Sequence, residues 1–250
     1  MPRETRPQPP VTARAAALNR RYRDQPAFSV LAQALSDGDT GRVALVSSFG
    51  AESVALLHMF ALLDPARPVL FLDTEMLFAE TLAYQREVAE TLGLRDVRVI
   101  RADRTRLAAQ DPDASLHRSD PDACCALRKS GPLERALAPF DAWISGRKRY
   151  QSGRRAALDV VEAEAAGRIK INPLAHWTRE DVAAYIVDNR LPRHPLVARG
   201  YPSLGCAPCT TPVAPGEDVR AGRWRGAAKE ECGIHVVDGR IVRGPARQAS

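Results

Sequence analysis

Short apolar runs rich in β-branched residues alternate along the chain with stretches whose apolar residues recur at helical spacing. Val43-Ala-Leu-Val46 predicts a buried parallel strand, and it opens directly into the small polar loop Ser47-Ser-Phe-Gly-Ala-Glu-Ser53. Residues 52–63 then predict a helix. Val69-Leu-Phe-Leu72 predicts a second strand ending at Asp73-Thr74-Glu75, a helix follows over about 77–92, and a third strand over 97–100. Ala142-Trp-Ile-Ser145 predicts a fourth strand, with the basic loop Gly146-Arg-Lys-Arg-Tyr-Gln-Ser152 at its carboxyl end, and Ile169-Lys-Ile171 a fifth strand or an edge. Between these, 133–137 predicts a helix, and Thr178-Arg-Glu-Asp181 supplies capping residues for one running to Asn189. Strand and helix alternate at βαβ spacing, so the expected fold is α/β, a parallel twisted sheet with helices on both faces. The polar run 104–120 is a poor strand and a weak helix, and beyond Pro192 the chain reads as loop.

The ends read differently from the middle. Residues 1 to about 12 are rich in Pro and Arg and predict disorder, with a helical pattern over 13–22 and another over 28–35. This divides the chain into a disordered or partly helical N-terminal arm (1–22), an α/β domain (23–214) and a flexible, Gly- and Arg-rich C-terminal segment (215–250).

Composition narrows the class. The chain has 250 residues, 45% hydrophobic and 26% charged, enough for a real core. Its formal charge of +6 is spread along the sequence, which suits a small dianionic ligand better than nucleic acid. No apolar run approaches membrane-spanning length and no signal pattern opens the chain, so a cytoplasmic protein with reduced thiols is expected. Five cysteines then read as metal ligands plus a reactive thiol.

Strand, small polar loop and helix is the geometry that sets backbone N–H groups and a helix N-terminus against an anion. Ser47, Ser48 and Ser53 add hydroxyls, and Gly50 admits close approach. The loop lacks the Gly-Lys-Ser/Thr ending of a Walker A motif and looks like a modified form of the Ser-Gly-Gly-x-Asp-Ser loop of ATP pyrophosphatases. An ordinary strand-to-helix turn would also fit. Asp73 ends a strand where open α/β sheets bind ligands, or caps the following helix.

Cys124-Cys125 and Cys206-Ala-Pro-Cys209 can hold zinc or an iron–sulfur cluster. Neighbouring helical side chains diverge by about 100°, which suits a cubane with four separate irons better than a single zinc ion. Cys232 lies near Arg220, Arg223, Arg225 and Lys229. Those cations would favour a reactive thiolate, although a lone cysteine in such a position is often incidental.

The two cysteine pairs, Arg128-Lys129 and Glu231-Cys-Gly-Ile-His235 together resemble the assimilatory adenylyl-sulfate reductases, iron–sulfur relatives of the phosphoadenylyl-sulfate reductases. The resemblance covers about residues 28–235, with further support from Leu72-Asp-Thr74, Lys170-Ile-Asn-Pro-Leu174, His194-Pro-Leu196 and Gly200-Tyr-Pro-Ser-Leu-Gly-Cys206. It implies an adenine nucleotide alpha hydrolase-like fold with a modified PP-loop. It implies one 4Fe–4S cluster on Cys124, Cys125, Cys206 and Cys209, and Cys232 as the catalytic thiol. Ser47, Ser48, Phe49, Gly50, Ser53 and Asp73 would bind the nucleotide, Lys129, Arg220 and Arg223 the sulfate, and Lys148 and Arg149 would also bind substrate. Adenylyl sulfate would be the substrate, AMP a product, thioredoxin the reductant, and the protein a homo-oligomer without nucleic-acid or membrane partners. The chain departs from the family's common Arg-Arg-Asp-Gln-Ser at Lys148-Arg-Tyr-Gln-Ser152, which puts an acidic contact there in doubt. It keeps only Trp224 where relatives carry several tryptophans. Two other classes compete: an ATP-dependent PP-loop tRNA thiolation enzyme with a cluster, and a zinc module without catalytic activity.

Overall fold

A computed structural model describes residues 9–226 and Lys229. Its centre is a six-stranded sheet built from β1 (Val43–Ser47), β2 (Val69–Leu72), β3 (Val97–Ile100), β4 (Ala142–Ile144), β5 (Val161–Ala163) and β6 (Ile169–Ile171). The order is β3-β2-β1-β4-β6-β5, parallel throughout except for the antiparallel β5–β6 pair. Five strands follow the predicted segments. The sixth, β5, escaped the sequence pattern because it is three residues long and its burial falls away along Val161-Glu-Ala163.

Period-two alternation assigns the two faces. Val43, Leu45, Val69, Phe71, Ala142 and Ile144 enter one core with α1 (Val11–Tyr22), α2 (Ala27–Ser36), α3 (Ser53–Leu63), α4 (Ala79–Thr91) and α9 (Arg179–Asp188). Ala44, Leu70, Leu72 and Trp143 enter a smaller core on the opposite face, closed by Leu133 and Leu137 of α8 (Gly131–Leu137). The expected N-terminal arm is therefore partly integral. Ala15, Leu18 and Tyr22 of α1 are buried in the larger core, and Tyr22 donates to Asp37 at 2.9 Å.

The polar run after β3 does form short helices: α5 (Arg104–Gln110), α6 (Leu116–Ser119) and α7 (Pro121–Cys125). None of α5 or α6 is buried, which explains the weak hydrophobic pattern. Asp120 caps α7 by accepting from Asp122 N and Ala123 N, and Pro121 sits in its first turn. A π-helical turn, Ala126–Ser130, joins α7 to α8. Among the described residues no helix is long and apolar enough to cross a membrane.

Candidate active site

The sheet order reverses between β1 and β4, and the loops at the carboxyl ends of these two strands diverge there. They open a cleft of about 260 Å³. One wall is the loop from Ser47 to Ser53, which enters α3. Phe49 takes a left-handed φ of 47°, which sends its ring into the core at 0% exposure and edge-on to Phe71. Its N–H reaches back to Ser47 Oγ at 3.1 Å. Ser47, Ser48, Gly50 and Ser53 line the cleft, with the Ser48 and Ser53 hydroxyls close around Gly50.

The β4 loop completes this wall. Glu52, at the N-cap of α3, accepts from Lys148 Nζ at 2.8 Å, Tyr150 Oη at 2.7 Å and Gln151 Nε2 at 3.1 Å. Burial would raise the Glu52 pKa, but the Lys148 charge and the three donors outweigh it and hold it below the usual glutamate range. Burial works in the opposite sense on Lys148, drawing its pKa down, with Glu52 resisting. Three donors favour the ionised carboxylate, and the carboxylate in turn opposes loss of the Lys148 proton. Deeper in, Arg147 is tied to Glu162, Ser145 and Asn172.

The facing wall is built from irregular backbone. The π-turn carries Leu127, Arg128 and Lys129, all buried. Such turns recur at functional sites because they shift side chains off the regular helical faces. Arg128 pairs with Asp111 at 2.7 and 3.0 Å and donates to the Thr74 carbonyl at 3.1 Å, while Lys129 lines the cleft. Opposite, residues 201–226 fold back on themselves. Thr211 N donates to the Gly222 carbonyl, and a Cβ on Gly222 would overlap the Thr211 carbonyl. Arg220, Arg223 and Trp224 line the cleft. Arg223 stacks over the Trp224 ring at 4.5 Å, donates to the Leu204 carbonyl at 2.6 Å and lies where a Cβ on Gly205 would be. Its Nε is buried with no hydrogen-bond partner among the described residues.

Four thiols gather behind this wall. Cys124 and Cys125 end α7 and are buried; Cys206 is buried and Cys209 half-buried. Cys206 Sγ lies 3.2 Å from Thr74 Oγ1, and Ala207 N donates to the Met76 carbonyl at 2.7 Å, which ties the Cys-x-x-Cys loop to the end of β2. Cys124 is pushed up to about 11, first by burial and then by the charge of Cys206, with Cys209 adding and Arg128 opposing. An all-sulfur donor set suits zinc or an iron–sulfur cluster. Among the described residues, no three Cys, His, Asp or Glu side chains form a group that could hold a single metal ion.

With this geometry established, comparison with known proteins places the chain. The model of the phosphoadenosine phosphosulfate reductase domain family matches residues 42–212. The chain belongs to that family. It is 50% identical over 226 residues to an adenosine 5'-phosphosulfate reductase of Mesorhizobium japonicum, covering 90% of this chain and 89% of the relative. It is 54% identical over 198 residues to an adenosine 5'-phosphosulfate reductase of Chelativorans sp., covering 79% and 80%. Its fold superposes on the crystal structure of a phosphoadenylyl-sulfate reductase from Candida auris in its phosphate complex with a TM-score of 0.68 at 28% identity, covering 80% of this chain and 96% of that one. This is the adenine nucleotide alpha hydrolase-like architecture. Family membership sets the tRNA thiolation and zinc-module alternatives aside.

Of the eleven residues the resemblance implies for substrate binding in this reductase-family chain, eight meet in the cleft: Ser47, Ser48, Gly50, Ser53, Lys129, Lys148, Arg220 and Arg223. Three do not. The Phe49 ring belongs to the core. Asp73 is buried and salt-bridged to Arg101 at 2.9 Å, and it accepts from Glu75 N, so it shapes the turn after β2. Arg149 turns away to donate to the Leu158 carbonyl at 2.9 Å. Among the cations that precede Cys232 in sequence, Arg225 is paired with Glu217 and Lys229 with Asp122. At the position where the family commonly has Asp, the Tyr150 hydroxyl donates to Glu52 at 2.7 Å. Residues 215–226, expected in a flexible tail, pack against the Cys-x-x-Cys loop through Trp224 N and the Cys209 carbonyl. Cys232, His235 and the remainder of that tail lie outside the described residues. Sequence reasoning missed Glu52, Arg147 and Arg155, all of which line the cleft. Their signal was visible only as charges within or beside the two loops already singled out.

Proposed function

We propose that the chain reduces adenylyl sulfate to sulfite and AMP in assimilatory sulfate reduction. The observation that carries this reading is the convergence in one cleft of the phosphate loop, Lys129 and the Arg220/Arg223 pair, with four thiols immediately behind. The nucleotide lies along the Ser47–Ser53 loop, where α3 presents its N-terminus to the phosphate. The sulfate end faces Lys129, Arg220 and Arg223, and the buried Nε of Arg223 suits an anionic oxygen.

The Cys232 thiolate attacks the sulfate sulfur. The bond to the bridging phosphate oxygen breaks, AMP leaves with that electron pair, and Cys232 becomes an S-sulfonate. A thioredoxin thiolate then attacks the Cys232 sulfur and sulfite departs with the S–S bonding pair. The second thioredoxin thiol resolves the mixed disulfide, so the dithiol is oxidised and Cys232 regenerated. Charge builds on the departing phosphate, where the fixed donors of the loop lower the barrier. Cys124, Cys125, Cys206 and Cys209 would hold one 4Fe–4S cluster, which supplies electrostatic tuning of the sulfate end beside Lys129 when bound. Four cysteines outside any disulfide suit a reducing cytoplasm, and thioredoxin is the reductant in this reading. A homo-oligomer belongs to the same reading and is checked by light scattering.

The test is intact mass after incubation with adenylyl sulfate. Wild type gains one sulfonate, Cys232→Ser gains none, and reduced thioredoxin discharges the adduct. Nucleotide binding without any adduct would sink the mechanism. Comparison with the 3′-phosphorylated substrate measures its discrimination, which favours adenylyl sulfate in this reading.

A further inference from the structure

The two edges of the sheet are finished differently. β5 is covered by α1, and Val161 N donates to Asn19 Oδ1 at 3.0 Å. β3 pairs with β2 on its inner side, and no described strand pairs with its outer side. Val69 N donates to the Asp96 carbonyl at 2.8 Å and Asp73 N to the Ile100 carbonyl at 3.0 Å. Asp96, Arg98 and Ile100 therefore turn their backbone groups toward β2, and Val97 and Val99 turn theirs outward. The Val99 side chain is 45% exposed, an apolar β-branched residue on an open edge. The charges nearest to it are held along their own chain, Arg98 by Asp96 at 2.7 Å and Arg101 by Asp73 at 2.9 Å. Arg95 and Asp103 flank the strand at its two ends. Both are exposed, and neither forms an ion pair among the described residues.

We propose that the outer side of β3 is a self-association surface, to which β3 of a second copy adds antiparallel about a two-fold axis at Val99. This rests on the homo-oligomer of the reading above and gives it an interface. A two-fold contact must be self-complementary. With Val99 opposite its own copy, the outward N–H and C=O groups of the two residues bond each other, and Val97 meets Arg101 of the second copy in the same way. The same register sets Arg95 against Asp103 of the second copy, and by symmetry it does so at both ends. Moving the axis to Arg98 would set two guanidinium groups opposite each other. Moving it to Ile100 would run the pairing into α5, which starts at Arg104. The opposite charges at the two ends of β3 thus select a second copy as the occupant, and its strand closes the one open edge of the described sheet.

Sedimentation velocity of the full chain over a range of concentrations tests this. Wild type should sediment as a dimer. Val99→Lys sets two ammonium groups opposite each other at the axis, and Val99→Pro removes the outward N–H while leaving the β2–β3 ladder its bonds. Each should weaken the dimer by about tenfold or more. Arg95→Glu and Asp103→Arg should each weaken it alone, because each sets like charges together at both ends. Mixed in equal amounts, these two variants should associate as a heterodimer, in which both end pairs are again opposite in charge. All four substitutions lie outside the cleft, so AMP affinity at the wild-type level shows that each variant keeps its fold. A dimer unaffected by both Val99 variants would overturn this interface and leave the homo-oligomer standing, as would a mixture of the two charge variants that stays monomeric. A monomeric wild type would overturn the interface and the homo-oligomer together, while the sulfonate reading is decided by intact mass alone.

Discussion

The two walls of the cleft are built on opposite principles. The nucleotide wall hangs from β1 and β4, adjacent central strands in register, and its charged centre is redundant: Glu52 has three donors from one short loop. The sulfur wall has no sheet beneath it. A π-turn, a 3-10 turn over Ala207–Cys209 and two single β-bridges make it, and individual buried contacts hold large pieces in place. The contrast divides a rigid seat for the nucleotide from a wall, next to the thiols, whose position depends on a few ion pairs.

The largest effect should follow from breaking the most buried of those pairs. Asp111 and Arg128 have side-chain exposures of 1% and 6%. Asp111→Asn leaves a buried guanidinium without its counter-charge and should cost about 3–5 kcal/mol in urea unfolding. Because Arg128 sits in the π-turn beside Lys129, AMP affinity should fall together with stability. A cost below about 1 kcal/mol would mean that the π-turn is held by something other than this pair.

The second effect is one of pH. His194 caps the 3-10 turn Pro195–Arg199, just before the loop that carries Leu204 and Cys206 into the site. Its Nδ1 accepts from Leu196 N at 3.2 Å, so Nε2 carries the proton toward Thr81 Oγ1 at 3.0 Å. Burial draws its pKa down to about 4, with Glu80 opposing. Between the ordinary histidine value near 6.5 and about 4, the unfolded chain therefore binds a proton that the folded chain refuses. Stability is fully present above that window and is lost as pH falls through it. Wild type should lose about 2–3 kcal/mol more than His194→Gln between about pH 7 and 4.5. Parallel losses in both proteins would remove His194 as the cause.

The same division explains what the sequence made legible. The apolar runs at Val43, Val69 and Ala142 are central parallel strands, and period and burial there coincide, so fold class and phosphate loop could be read directly. The cysteines were legible as a set because two close pairs are uncommon by chance. Three features were not legible. The π-turn has no pattern of its own, since Ala126–Ser130 differs from an α-helix only in bonding register. The outward turn of Arg149 and the burial of Asp73 depend on partners at Leu158 and Arg101, outside the loops that carry them. The packing of residues 215–226 depends on close glycine contacts at Gly205 and Gly222, whereas their composition alone reads as a mobile tail.

The smallest effect is expected on the nucleotide wall, and it is the sharpest test of the contrast. Tyr150→Phe removes one of three donors to Glu52 while Lys148 and Gln151 remain. A single hydrogen bond lost to a carboxylate that stays paired should cost about 1 kcal/mol. AMP affinity should change by less than that amount, since Lys148 still neutralises Glu52 and the Ser47–Ser53 loop still rests on β1. A loss in Tyr150→Phe equal to that in Asp111→Asn would invert the comparison. It would make the β4 loop, and not the π-turn, the part of the site that depends on a single contact.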